Sequence, residues 1–141
     1  MRKSMTPAEK RKIIHSKFDG KCAYCGIPIQ IKDMQVDHII SKYNFKMCLI
    51  HNWKIPEFLR HLTINDLDSI DNLFPACRVC NGWKSTYHLE LFRSEIQEQV
   101  KRLNERHANY RMAKKYGLIQ EVERPVVFYF ETLYELKQMK S

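Results

Sequence analysis

An α+β fold is predicted by three observations. A helix-start signature lies near residue 6, two stretches of alternating apolar residues follow it, and apolar residues recur at three-and-four spacing from Leu89 onward. The 141-residue length suits one ordinary domain able to bury a core. The chain is therefore read as a single domain over 1–141, with a core at about 20–90 and a C-terminal helix and tail at about 91–141.

Taken in order, Thr6, Pro7 and Glu9 supply a hydroxyl cap, a proline at the first helical position and a carboxylate reaching back. The predicted helix carries Ile13, Ile14 and Phe18 on one side and stops at Asp19-Gly20. "KCAYCG" reads as a tight turn in which Gly26 opens backbone conformations closed to other residues. "IPIQI" and "MQVDHII" alternate apolar residues on either side of Lys32-Asp33, which predicts a hairpin. The pattern weakens from Ser41 to Asn65, where "HNWKIPEFLRHL" suggests a short helix after Pro56, so this segment reads as an insertion. A helix is expected after Cys80. Beyond it, Leu89, Phe92, Ile96, Val100 and Leu103 predict a long helix with a buried stripe, stopped at Gly117. In "PVVFYFETL", Val126 to Phe130 is either a strand or the start of a helix packed on the core.

Charge narrows the function classes. Twenty-four Lys plus Arg against sixteen Asp plus Glu leave a net charge of +8, a field that attracts polyanions, nucleic acid above all. The alternative is a merely soluble basic surface. No run of apolar residues reaches the length of a spanning helix, so no membrane role is expected. "MRKSMTPAEKRK" has positive charge with no apolar run behind it and so does not read as a secretory signal, which points to the cytoplasm.

In a reducing compartment five cysteines are poor material for disulfides. Cys22 with Cys25 and Cys77 with Cys80 form two Cys-x-x-Cys pairs, and four thiolates are what tetrahedral Zn²⁺ takes in a closed structural site. A Cys-x-x-Cys can also be a redox motif, but that requires a βαβ setting absent around either pair. Cys48 is left over and reads as a small buried apolar residue. A clip joining the two pairs brings Asp37 and His38 of "VDHII" near Asn81. Asn81 and Lys84 lie three apart at a helix start, hence on one face.

"CAYCG", "VDHII", "DN" and "CRVCNGWKS", in this order, resemble the HNH nuclease superfamily with its ββα-metal core, in the version stabilised by a four-cysteine zinc clip. The likeness spans Cys22 to about Ser85, and the stretch after it resembles the C-terminal part of many stand-alone HNH proteins of bacteria and phages. Asn81 stands where many members have histidine, giving a His-Asn-Asn pattern also found in the nuclease domain of CRISPR nucleases. The resemblance implies a DNA endonuclease with flanking N- and C-terminal helices around its core. His38 would be the general base, Asp37 and Asn81 would hold one Mg²⁺ or Mn²⁺, and Asn72 would brace the loop that orients His38. Lys84 would contact a phosphate. The products would be a 3′-hydroxyl and a 5′-phosphate. DNA would be bound mainly through its phosphates, by a monomer or a homodimer.

Blander readings stand beside these. Asn72 is also an ordinary turn residue, and Lys84 one solvated lysine among many. The whole chain also fits a zinc-stabilised DNA-binding module without turnover, or an interaction protein that docks through "VVFYFETL".

Overall fold

A computed structural model describes residues 4–140. Its described residues form an α+β structure of helices, short 3-10 turns and a two-stranded antiparallel sheet. Helix α1 (Pro7–Ser16) starts as predicted: Thr6 Oγ1 accepts from the Glu9 amide at 3.1 Å, and the Glu9 carboxylate accepts from the Thr6 amide at 3.0 Å. This reciprocal cap satisfies two donors that a helix start leaves without partners, which is worth about 1 kcal/mol. Ile14 and Phe18 are buried, whereas Ile13 faces solvent rather than sharing their side. The chain reverses at Asp19 and Gly20, both at positive φ. A Cβ at Gly20 would stand 3.0 Å from the His15 ring, so a larger residue there would crowd that ring as well as strain the backbone.

The hairpin expected around Lys32-Asp33 does not form. Residues 27–29 fold back onto the preceding turn instead: Cys22 N donates to Ile27 O at 2.8 Å and Ile29 N to Gly20 O at 2.8 Å. Pro28, which lacks an N–H, forms an isolated bridge with Lys21. Ile31–Asp33 then winds into a 3-10 turn. Strand β1 (Gln35–His38) consequently takes a distant partner, β2 (Leu73–Ala76), with Asp37 opposite Phe74 and His38 opposite Leu73.

Between the strands run α2 (Lys42–His51) and three further 3-10 turns, one of them at Glu57–Leu59 directly after Pro56. The stretch that reads as an insertion, Ser41 to Asn65, lies within this segment, which is anchored by Phe45, Leu59, Leu62 and Leu67, all buried. Its two ends meet where Ile39 N donates to Asn72 O at 2.9 Å, one step beyond the strand ladder. Helix α3 (Arg78–Lys84) follows β2 directly and begins earlier than expected, with Cys77 as its cap.

The chain forms two compact units, one comprising the stretch up to Leu89 together with the stretch from Phe128 onward, the other Glu90–Val127. In the first, Phe74 is the centre of an aromatic core, with ring centroids 5.2 Å from Phe18 and 4.9 Å from Phe130. The tail is helical: α7 spans Tyr129–Lys140, preceded by buried Phe128.

In the second unit the expected long helix is broken. It runs as α4 (Leu89–Gln97), α5 (Gln99–Arg106) and α6 (Ala108–Lys115), interrupted at Glu98 and at His107, whose backbone is extended. The apolar stripe is buried at Leu89 and Phe92 but reaches solvent at Val100. Gly117 stops α6 at φ 74°.

Candidate metal centre and adjacent cleft

The two Cys-x-x-Cys turns converge. The sulfurs of Cys22, Cys25, Cys77 and Cys80 all lie within 4.8 Å of one another, with Cys25 Sγ 3.8 Å from Cys77 Sγ. Each turn is shaped locally for this. In the first, Gly26 N donates to Cys22 O at 3.0 Å, and Gly26 adopts φ 78° against the ring of Tyr129. In the second, Cys77 Sγ accepts from the Cys80 amide at 3.4 Å, the capping geometry of α3. Hydrogen bonding from the Cys80 thiol holds Cys22 far below the usual thiol range, so one sulfur of the set is favoured as thiolate, the ligating form. The cluster can hold a metal ion such as zinc. Cys48 lies apart from it, buried on α2.

Beside the cluster opens a cleft of about 730 Å³ whose walls include Asp37, His38, Ser41, Asp68 and Asn81. β1 and α3 bring Asp37, His38 and Asn81 to this one space, and the strand alternation gives the first two different surroundings. Asp37 is 4 % exposed and turned inward. The Tyr24 hydroxyl donates to its Oδ2, and Lys84 Nζ lies 3.1 Å from the same oxygen and 3.3 Å from Oδ1. Burial pushes the Asp37 carboxyl above its ordinary range, while Lys84 and Tyr24 pull it back down. Burial lowers Lys84 in turn, opposed by Asp37.

His38 is on the solvent side. Its Nε2 lies 2.8 Å from Asp68 Oδ1, a bond that holds the exposed Asp68 carboxyl below its ordinary range. Asn72 does not touch the cleft. It is fully buried, and its amide accepts from Ile40 N at 3.0 Å while donating to Ile40 O at 2.9 Å and Leu67 O at 2.8 Å. Those bonds pin the backbone two residues past His38.

Lys84 stands elsewhere than expected. It is 1 % exposed, and beyond Asp37 its ammonium donates to His38 O at 3.0 Å, so it lies in the interior and not on a phosphate-facing surface. Sharing a helix face with Asn81 gave its direction but not its depth. Two residues of the site were missed in the sequence. Tyr24 occupies a spacer position of the first cysteine pair, and its hydroxyl matters only once the fold brings Asp37 to it. Asp68 lies 30 residues from His38, past the end of the stretch that reads as an insertion, where no spacing rule links them.

Among the described residues, no helix is long and apolar enough to cross a membrane. No family model, curated protein or solved structure matches this chain.

Proposed function

We propose that the chain is a metal-dependent DNA endonuclease of the HNH type, built on a ββα-metal core formed by β1, β2 and α3. The observation that carries this reading is the meeting of Asp37, His38 and Asn81 in one cleft beside the four-cysteine cluster. The net charge of +8 supports a polyanionic substrate.

In this reading His38 is the general base. With Nε2 engaged by Asp68, Nδ1 is the nitrogen left to take a proton. A water in the cleft loses its proton to His38 as its oxygen bonds to phosphorus, the bond to the 3′-oxygen breaks, and that oxygen leaves to be protonated. The products are a 3′-hydroxyl and a 5′-phosphate. Asp37 and Asn81 are hard oxygen donors, the type suited to Mg²⁺ or Mn²⁺, which when bound supplies charge stabilisation at the phosphate. Lys84 contributes by orienting Asp37 and not by touching the phosphate. Asn72 fixes the strand end that carries His38. Zinc at the four cysteines is structural.

Cleavage of supercoiled plasmid with Mg²⁺, Mn²⁺ or EDTA tests the reading. His38→Ala should keep its fold and lose about 10²–10⁴-fold in rate; near wild-type cleavage by the folded variant removes His38 from the chemistry. A second reading, a zinc-stabilised DNA-binding module without catalysis, is favoured by the Lys84 ammonium already neutralising Asp37. It predicts DNA binding with no cleavage in any divalent ion.

A further inference from the structure

The segment between the strands carries a surface that the proposed chemistry does not use. From His38 to Pro56 the sequence holds no aspartate or glutamate but three lysines, Lys42, Lys46 and Lys54. Helix α2 buries Asn44, Phe45 and Cys48 on one side. Its other side presents Tyr43, Leu49 and Ile50 to solvent, each roughly two-thirds exposed, with Tyr43, Lys46 and Ile50 following one another at helical spacing. Just past the helix, Trp53 is 44 % exposed and stacks on His51, ring centroids 5.4 Å apart at 25°.

This surface adjoins the cleft. Ser41, the cap of α2, and Lys42 form part of the cleft wall. The Asn44 side-chain amide donates to the carbonyl of Thr86, another wall residue, and the Trp53 ring lies 5.5 Å from that of His88. A polyanion lying in the cleft therefore continues onto α2.

We propose that α2 with Trp53 binds unstacked bases of a nucleic-acid strand, which makes the preferred substrate one with unpaired bases next to the cut: a single strand, a flap or a junction. The lysines and the lack of acids select a phosphate backbone. Flat aromatic and aliphatic side chains have little to gain from the outside of an intact duplex, where base faces are hidden, whereas an unpaired base offers an open face to stack on. The proposal rests on the nuclease reading for the identity of its substrate, but its test is independent of cutting.

The test is fluorescence anisotropy of a labelled single strand and of the matching duplex, with the full chain and no added divalent ion. Single-strand binding should be the tighter. Trp53→Ala and Tyr43→Ala should each weaken it about 5- to 100-fold with duplex affinity changed less than about twofold, while Trp53→Phe keeps most of the affinity. Both side chains are exposed, and circular dichroism checks that the variants fold. Equal losses on both substrates, or no loss on the single strand, would overturn the proposal, as would binding to anionic phospholipid vesicles in place of the single strand. Trp53-dependent binding by a chain that cuts neither plasmid nor the single strand in Mg²⁺ or Mn²⁺ supports the strand-binding surface and removes the nuclease reading. Plasmid cleavage by a chain whose single-strand binding ignores Trp53 and Tyr43 removes the proposal alone.

Discussion

Truncating Lys84 leaves the Asp37 carboxylate buried with the Tyr24 hydroxyl as its remaining partner. Breaking a buried ion pair from one side typically costs about 3–5 kcal/mol, because the surviving charge is uncompensated, while removing both charges costs much less. Lys84→Met should therefore lose stability on that scale in urea denaturation, and Asp37→Asn combined with Lys84→Met should recover a large part of it. A single variant as stable as the wild type would mean that the pair does not form in solution. The same logic makes Asp37→Ala a poor probe of metal binding, since it strands the Lys84 ammonium. The adjacency of Asp37 and His38 at a strand end was legible from the sequence pattern, whereas a bracing role for Asn72 came only from the family resemblance. The depth of Lys84 was not, because helical spacing gives a direction around the axis and says nothing of how far a long stem reaches.

Among the elements, α3 offers a clean separation of metal from cap. Serine caps helices well, so Cys77→Ser keeps an acceptor for the Cys80 amide while deleting one metal ligand. Metal analysis should find zinc lost and thermal denaturation a large drop in Tm, since a structural ion contributes folding free energy directly; full zinc content at unchanged Tm would sink the four-cysteine site. In the Glu90–Val127 unit, Glu121 gathers the Asn104 amide at 2.6 Å, Lys114 at 3.1 Å and the Tyr110 hydroxyl at 3.0 Å. These hold its carboxyl below the ordinary range. A depressed carboxyl contributes stability that is fully present above its unfolded pKa of about 4.3 and lost as pH falls through the folded value. Glu121→Gln should thus melt lower than the wild type at neutral pH, the gap closing under acid; a gap constant with pH would show that the charge plays no part. At this scale α1 was legible because its cap is local chemistry. The hairpin was misread because alternation identifies a strand without naming its partner. The long helix was misread because Arg111 supports the break at His107 by donating to Asn104 O, a contact invisible to periodicity.

For the molecule as a whole, the tail is part of the core. Tyr129 N and Phe130 N donate to Tyr24 O and Ala23 O at 3.0 and 2.8 Å, so the start of α7 is bonded to the backbone of the first cysteine turn. Phe130 is 3 % exposed and packs within 6 Å of the Phe74, Phe58 and Tyr134 centroids. Burial of Phe128 and Phe130 argues against a docking role for them. Phe130→Ala should cost about 3–5 kcal/mol, measured by chemical denaturation; a change below about 0.5 kcal/mol, the size of a surface substitution, would mean that the tail is not seated. The α+β class and the cysteine cluster were legible from local patterns and ligand chemistry. That the tail closes the core beside the first cysteine turn was not, since an apolar run fits a strand and a helix start equally well.

The separation in sequence of the two strands has a kinetic side. Cys25 and Cys77 are 52 residues apart, and Ala76, which pairs with Gln35, is the neighbour of Cys77. Metal ligation and strand pairing therefore close nearly the same long loop, and the search for one end by the other is made once for both. Whichever contact forms first turns the second into a local event. Refolding with the ion present from the start follows a shorter search than refolding in which the sheet must find its register unaided.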